Sequence, residues 1–290
     1  MTEPDLTPSC ALILRCPDSK GIVAAVAGFL AQHDASITES HQFNEADSAT
    51  FYMRVVFEPV GDGFPGLSAL RKDFAPTAQR FAMNWEMRDL AHRPRLLIAV
   101  SKFGHCLHDL VHRWKAGQLP ADLVGVVSNH EDMRAFVEWN GLPYHHMPVT
   151  PNNKPAQEAA LLALADQLGV ELIVLARYMQ ILSPEMCDAL AGRCINIHHS
   201  FLPGFKGAKP YVQAHERGVK IIGATAHYVT RDLDEGPIIE QAVERVTHAH
   251  SPAALAQIGR DIECAVLARA VLWHVQHRIL INDQRTVVFV

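Results

Sequence analysis

The stretch RLLIAVS, residues 95–101, is an apolar run without the alternating polar positions of a half-exposed strand. Two similar runs follow it, DLVGVVS at 122–128 and VELIVLA at 170–176. Strands that are covered on both faces have this composition, because neither face of their sheet meets water. Helical stretches alternate with these strands near 104–117, 131–140 and 155–168. The alternation predicts an α/β domain with a mostly parallel, Rossmann-like sheet.

The same region continues with further predicted elements. Residues 210–247 contain a helix and two longer strand candidates, VKIIGATAHYV and PIIEQAVERV, which are joined by the acidic loop TRDLDEG. A long helix is expected after the Ser251-Pro252 start signal. TVVFV, at the end of the chain, is expected to form a short final strand or a tail.

A different pattern precedes residue 89. The order strand, helix, strand, strand, helix, strand is predicted from ALILRC, the segment that begins at Gly21, residues near 35–43 and 50–58, a helix over 66–81 and NWEMRDL. This βαββαβ order is typical of a ferredoxin-like sandwich of a sheet and two helices. The polar segment DLAHRP, residues 89–94, ends in proline and has the composition of a linker. We therefore expect one domain at 1–88 and a second at 95–290.

Composition limits the classes of partner. Apolar residues make up 49% of the 290 residues and charged residues 20%, as in ordinary globular proteins. The net charge is −5, with 26 basic and 31 acidic residues and no basic stripe, so neither nucleic acid nor an anionic membrane surface is an expected partner. The six cysteines form no C-x-x-C pair, and MTEPDLTPSC lacks the features of a secretory signal. We expect a cytoplasmic protein that binds a small molecule.

The stretch CINIHHSFLP, residues 194–203, carries the candidate chemistry. If it is a strand, alternation places Asn196 and His198 on one face and Ile195 and Ile197 on the other. The strand ends at the carboxyl edge of an open α/β sheet, where ligand sites usually form. Asn196 is suited to hydrogen-bond a developing oxyanion, and His198 is suited to move a proton near neutral pH.

Other interpretations of these residues remain open on pattern alone. Asn196 is equally suited to fix a neighbouring loop, and His198 to lie in the core with a hydrogen bond. A metal site would recruit His198, His199, His215 or His227, but adjacent histidines on a strand diverge, so no metal is predicted. His199 is expected to face away from the other two polar side chains.

Two longer segments, NIHHSFLPGFKGAKPYVQAHERG and GATAHYVTRDLDEGPIIEQ, resemble the folate-dependent formyltransferase family. The signature of that family is an asparagine, a histidine two residues later and an aspartate on a following loop. The resemblance implies that Asn196, His198 and Asp234 are the catalytic residues. The remaining positions that fit the pattern are Ser200, Leu202, Pro203 and Gly207.

The segment LARYMQILSPEM looks like the folate-pocket segment of the same family. The resemblance implies that it contacts the pterin together with the loop around 229–234. The implied substrate-binding residues are Arg177, Tyr178, Met179, Gln180, Ile181, Leu182, Val229, Asp232, His199 and Gly207.

The N-terminal stretch RCPDSKGIVAAVAGFLAQHDASITESHQ is similar to the ACT domain, a regulatory module of ferredoxin-like fold. The similarity implies an effector site at the start of the first helix, at Asp18 and Gly21, for an amino acid such as glycine or methionine. A purely structural dimerisation domain is the alternative. ACT-like units often pair, so a homodimer or homotetramer is expected.

The combination of the two domains resembles the formyltetrahydrofolate deformylase family. It implies hydrolysis of 10-formyltetrahydrofolate to formate and tetrahydrofolate, with water as second substrate and no cofactor, as a source of formate for purine biosynthesis. The alternatives are a formyltransferase that acts on a small amine and an inactive folate or amino-acid sensor.

The loop VSKFGHCLHDLV bears on the choice of acceptor. It has one glycine, Gly104, and a bulky Phe103, whereas transferases that act on a ribonucleotide have a Gly-rich loop that holds a phosphate. Lys102 is suited to bind an anion there or to remain a solvated loop lysine. His199 stands where those transferases tend to have proline, so it is either a residue that shapes the acceptor space or an ordinary loop residue.

Overall fold

The computed structural model describes residues 9–61, 63–204 and 210–290. The chain divides into two compact units. One contains the residues up to Arg93 together with Gln276–Leu280 and Val287–Val290, and the other contains Pro94–Val275 and Ile281–Thr286. The assignment of separate domains to 1–88 and 95–290 stays a prediction.

The first unit has the predicted βαββαβ order. Its elements are β1 (Cys10–Pro17), α1 (Ile22–Gln32), β2 (Ala35–Glu45), β3 (Thr50–Pro59), α2 (Leu67–Arg80) and β4 (Asn84–Asp89). The strands form an antiparallel sheet in the order β2-β3-β1-β4. This is the ferredoxin-like topology that the sequence predicts.

The two helices of this unit pack their apolar faces into one core. In α1 the buried residues are Ile22, Val26, Phe29 and Leu30, which recur at helical spacing and so lie on one face. Phe74 of α2 is fully buried in the same core and contacts Phe29 edge-on, with ring centroids 5.0 Å apart. The apolar residues that recur at helical spacing in the sequence therefore form the helix faces that pack in this core.

The second unit is built on a seven-stranded sheet. Its strands and helices are β5 (Arg95–Val100), α3 (His105–Lys115), β6 (Asp122–Ser128), α4 (Arg134–Trp139), β7 (Tyr144–His146), α5 (Lys154–Gln167), β8 (Leu172–Leu175), α6 (Pro184–Ala189), β9 (Cys194–His198), α7 (Pro210–Glu216), β10 (Ile221–Tyr228), β11 (Ile238–Arg245) and α8 (Pro252–Val275). The sheet order is β11-β10-β9-β8-β5-β6-β7. The chain ends with a two-stranded sheet of β12 (Ile279–Asn282) and β13 (Arg285–Val288).

The mostly parallel sheet is confirmed. The pairs β5–β6, β5–β8, β6–β7 and β8–β9 are parallel, whereas β10 and β11 run antiparallel at one edge. Every residue of β8 is buried, and so are Leu96–Val100 of β5, as their unbroken apolar composition predicts. β7, with three residues, is too short for its sequence pattern to predict it, and β12 is not among the predicted elements. Among the described residues, no helix is both long and apolar enough to span a bilayer.

This topology fixes where the candidate residues meet. Parallel neighbours β8 and β9 end at the same edge of the sheet, so Leu175 and His198 lie at that edge. The antiparallel strand β10 pairs His227 with Asn196. The carboxyl edge at β9 therefore collects polar side chains from two strands of opposite direction.

Replacement of Phe74 by alanine tests the core of the first unit. Phe74 lies between Phe29 and the Trp85 ring, whose centroid is 4.9 Å away. Removing a fully buried phenylalanine leaves a cavity, so we expect Phe74→Ala to lower the free energy of unfolding by about 3 to 5 kcal/mol. Urea unfolding of the full chain followed by circular dichroism measures it. The control is Val60→Ala, at a residue 54% exposed; equal losses in the two variants would contradict the packing.

Candidate active site

The imidazole of His198 and the carboxylate of Asp234 form the centre of the site. His198 Nδ1 lies 3.2 Å from Asp234 Oδ2, and the two side chains are only 6% and 14% exposed. His198 is the last residue of β9, while Asp234 lies in the loop between β10 and β11. The contact directs His198 Nε2 away from the carboxylate, and this nitrogen is buried without a hydrogen-bond partner among the described residues. It is therefore available to a reacting molecule.

Asn196 is held by a second histidine, His227. The Nδ1–H of His227 donates to the carbonyl of Tyr228 at 2.9 Å, which leaves Nε2 as an acceptor. Asn196 Nδ2 donates to this Nε2 at 3.2 Å and keeps a second N–H. His227 Nε2 is also 3.7 Å from Asp234 Oδ1. His227 thus orients Asn196, a role that the sequence analysis did not find.

The carboxylate of Asp234 is ionised at neutral pH. Burial raises its pKa, but the hydrogen bond from His198 and the nearby imidazole of His227 outweigh burial and hold the pKa well below its usual range. The backbone of Asp234 is left-handed, with φ 58°. Gly236, two residues later, packs directly against the end of β10. A Cβ at this position would lie 1.8 Å from the carbonyl oxygen of Tyr228. The loop therefore needs glycine at 236 to present Asp234 to His198.

A cavity of about 280 Å³ opens in front of these residues. It is bordered by the end of β9, by the segment after β8 and by the loop after β10. The residues of the implied folate pocket that border it are Arg177, Tyr178, Met179, Gln180, Ile181, Leu182, Val229, Asp232 and His199. Asn196, His198 and Asp234 line the same cavity. Gly207 lies outside the described residues.

The segment after β8 is fixed by backbone and side-chain hydrogen bonds. The carbonyl of Arg177 accepts from the amide of Ser101 at 3.1 Å, and the Ser101 hydroxyl accepts from the amide of Met179 at 3.0 Å. Tyr178 is buried, and its hydroxyl accepts from the side chain of Gln157 at 3.0 Å. Met179 and Ile181 are 52% and 60% exposed and offer apolar surface to a planar ligand.

His199 also borders the cavity, although strand alternation predicts that it faces away. The strand ends at His198, so alternation no longer constrains the next residue. The His199 ring centroid is 5.1 Å from that of His198 and 6.5 Å from that of Tyr211. Burial lowers the pKa of His199 to about 4, and the positive charge of Arg177 is the second largest cause of this shift. His199 is therefore neutral at physiological pH.

A buried carboxylate lies beyond His199. Glu263 of α8 is fully buried and has two hydrogen-bond partners and one cationic partner. His105 Nε2 lies 2.7 Å from Oε2, the Tyr211 hydroxyl donates to Oε1 at 2.7 Å, and Arg177 Nη1 lies 3.2 Å from Oε2. Burial raises the pKa of Glu263, but these donors outweigh it and lower the pKa. The sequence analysis missed this group.

The same region contains one possible metal-binding group among the described residues. The ligand atoms of His105, Cys106 and Glu263 lie within 4.8 Å of one another. However, the guanidinium of Arg177 already contacts Glu263, and a positive charge at that place opposes a metal cation.

The predicted regulatory residues lie in the first unit. Gly21 precedes α1 with φ 101°, a conformation that favours glycine. Asp18 accepts a hydrogen bond from Asn44 Nδ2 at 2.6 Å, and its amide donates to Ala49 at 2.7 Å. The two residues therefore bracket the turn between β1 and α1.

Comparison with known proteins places the chain in a family. The Formyl transferase family model matches residues 94–271. A formyltetrahydrofolate deformylase from Corynebacterium sp. (strain P-1) is 52% identical over 96% of each chain. The crystal structure of a formyltetrahydrofolate deformylase from Burkholderia mallei has a TM-score of 0.92 and 53% identity and covers 97% of this chain and 99% of its own.

The chain belongs to the formyltetrahydrofolate deformylase family. The similarity to formyltransferases covers a smaller part of this chain. The glycinamide ribonucleotide transformylase 1 of Symbiobacterium toebii is 31% identical, with a TM-score of 0.62, and covers 68% of this chain and 94% of its own. The full-length similarity to deformylases thus includes the first unit, whereas the transformylase matches about two thirds of the chain.

The pH dependence of stability tests the burial of neutral His199. Its folded-state pKa of about 4 lies below the usual unfolded value of about 6.5. Between these values the unfolded chain binds the proton and the folded chain does not, so stability is lost as the pH falls. Between about pH 7 and about pH 4.5, the free energy of unfolding is expected to fall for the native chain. We expect this fall to be smaller by about 2 kcal/mol in His199→Gln.

Urea unfolding of both proteins at the two pH values measures this difference. His248→Gln is the matched control, because His248 is exposed. If His199→Gln loses as much stability on acidification as the native chain does, the assignment of a half-buried neutral imidazole is wrong.

Proposed function

We propose that this chain hydrolyses 10-formyltetrahydrofolate to formate and tetrahydrofolate, the reaction named for its relatives. The observation that carries the proposal is the joining of Asn196, His198 and Asp234 to the Arg177–Leu182 segment around one cavity. Water is the second substrate, and the proposed reaction uses no cofactor. The formate produced is a one-carbon source for purine biosynthesis.

The proposed first step is attack of water on the formyl carbon. Asp234 accepts the Nδ1–H of His198, so Nε2 carries a lone pair that takes a proton from the attacking water. The resulting imidazolium, with Asp234 ionised beside it, is stabilised by the carboxylate. The hydroxide adds to the formyl carbon and gives a tetrahedral oxyanion.

The oxyanion is then stabilised by preorganised donors. Asn196 Nδ2 has one N–H engaged with His227 and the other free to face the oxyanion. His198 Nε2–H supplies the second donor and then passes its proton to the N10 atom of the folate as the C–N bond breaks. The formyl carbon leaves as formic acid, which loses its remaining proton to solvent to give formate, and N10 leaves as the amine of tetrahydrofolate.

The folate is held by the segment after β8 and the loop after β10. In the proposed complex the pterin lies against Met179 and Ile181, whose apolar side chains are exposed beside the cavity. Backbone groups of this segment and of Val229–Asp232 meet the polar edge of the pterin. This orientation directs the N10-formyl group toward Asn196.

Two features of the site favour water over an amine as the acceptor. Neutral His199 occupies the space beside His198 that a larger nucleophile would need. In the loop after β5, a Cβ at Gly104 would lie 2.3 Å from Met133 Sδ, so this loop is packed against its neighbours rather than open. We propose that His199 shapes the acceptor space.

We propose an effector role for the first unit. Asp18 and Gly21 at the start of α1 would receive the polar groups of an amino acid such as glycine or methionine, and Asn44 beside Asp18 adds a further polar group. A homodimer or homotetramer is proposed from the pairing habit of ACT-like units. The free cysteine thiols favour a reducing compartment, and a cytoplasmic location is proposed.

The proposed activity is tested with the purified full chain and 10-formyltetrahydrofolate, without any amine. We expect formate and tetrahydrofolate to appear in equal amounts, because water is the acceptor. Parallel reactions contain glycine, methionine or a small amine acceptor. Absence of formate release without amine, together with formylation of the amine, would reject hydrolysis in favour of transfer.

Substitutions at the catalytic residues test the proposed steps. Asn196→Ala removes one oxyanion donor, so we expect kcat to fall by about 10²- to 10³-fold. Asp234→Asn removes the charge that stabilises the imidazolium, so a fall of about 10²- to 10⁴-fold is expected. Initial rates of formate release measure both effects.

Asp261→Asn, at an exposed residue of α8, is the matched control. Circular dichroism confirms that each variant is folded. Native-like rates in either active-site variant would remove that residue from the mechanism.

A further inference from the structure

The side chain of Arg177 does not share the exposure of the folate segment to which the residue belongs. It is only 10% exposed, in contrast to Met179 and Ile181. Its guanidinium carbon lies 5.7 Å from the centroid of the Phe103 ring, which belongs to the loop after β5. The cationic group is therefore directed toward the loop after β5, and the proposed pterin surface is formed by its neighbours.

Glu263 holds this guanidinium in place. Its Oε2 lies 3.2 Å from Arg177 Nη1, and it also binds His105 through Oε2 and Tyr211 through Oε1. Contact at Nη1 leaves the opposite edge of the guanidinium, formed by Nε and Nη2, outside the ion pair. Nε and Nη1 are both buried and make no hydrogen bond in the described part of the chain, so the contact of Nη1 with Glu263 is an ion pair only. A buried N–H without a partner is costly, so a ligand at this edge is favoured.

The proposed hydrolysis creates a charge that must be balanced. It converts a neutral formamide into formate, next to Asp234, which is already ionised. Two anions in one largely buried site repel each other. Among the described residues, the arginines that border the cavity are Arg177 and Arg231. Arg231 is 66% exposed and is paired with Asp188, so Arg177 is the buried cation that can offset the new charge.

The charge of Arg177 acts on His199, which lies beside His198. After burial, the positive charge of Arg177 is the largest contribution that lowers the pKa of His199. The His199 ring is in turn 5.1 Å from the ring of His198. The field of the guanidinium thus acts on the residues beside the formyl carbon.

We propose that Arg177 binds the small carboxylate product, formate, through the Nε and Nη2 edge of its guanidinium while Glu263 fixes the opposite edge. Two parallel N–H groups match the two oxygens of a carboxylate, which is the geometry of a bidentate pair. The identity of the ligand rests on the proposed hydrolysis. The binding site itself can be tested without catalysis.

Formate binding to the folate-free full chain is measured by NMR titration with ¹³C-formate. We expect saturable binding to the native chain and at least tenfold weaker binding to Arg177→Met, because both charge-assisted hydrogen bonds are lost. Arg177→Lys keeps the charge without the planar fork and is expected to bind formate several-fold more weakly than the native chain. Arg113→Met, at a partly exposed arginine of α3, is the matched control with native affinity.

Two further measurements test the proposal if Arg177→Met does not fold or if the site binds any anion. If Arg177→Met is unfolded because Glu263 loses its cation, the comparison between the native chain and Arg177→Lys decides. Chloride is titrated in competition, and a carboxylate site predicts that it displaces formate only at much higher concentration.

Equal formate affinity in the native chain and Arg177→Lys, or in the native chain and a folded Arg177→Met, would overturn the proposal. So would the absence of saturable binding to the native chain, or displacement by chloride at equal concentration. A native chain that binds formate through Arg177 but releases none from 10-formyltetrahydrofolate would reject the proposed function alone.

Discussion

The contact between His198 and Asp234 depends on a reversal of chain direction at one edge of the sheet. β9 is parallel to β8, but β10 is antiparallel to β9, so the end of β10 lies beside Ile195 near the start of β9. The following loop must return along β9 to reach His198. The left-handed backbone at Asp234 and the missing side chain at Gly236 make this return possible within a few residues. The catalytic pair is thus a consequence of one antiparallel strand.

Part of this site could be predicted from local sequence. The period of two along a strand is strict, so Asn196 and His198 had to share a face once residues 194–198 formed β9. His227 could not be found in the same way. Its contact with Asn196 depends on the register between β10 and β9, which is set by tertiary pairing and leaves no signal in either strand alone.

The fold shows the same division between local and non-local information. The βαββαβ unit could be predicted from the spacing of its apolar residues, and the parallel sheet from unbroken apolar runs that alternate with helical stretches. β7 could not, because three residues are too few to define a period. β7 forms through parallel pairing with Val126–Ser128 of β6, an interaction that the sequence YHH does not indicate.

Two buried carboxylates show why residue type alone does not define a role. Glu263 lies within the apolar helix α8, where a single glutamate would ordinarily face solvent. Its donors come from three remote segments, and they enclose both oxygens, so its charge is fixed and serves to position Arg177. Among the described residues, the ion-pair partners of Asp234 are the imidazoles of His198 and His227, and His198 has a free nitrogen toward the cavity. A carboxylate that is bound to such a group can respond to proton transfer, whereas one enclosed by donors cannot. The division of labour between the two acids is therefore set by their partners, which only the folded chain brings together.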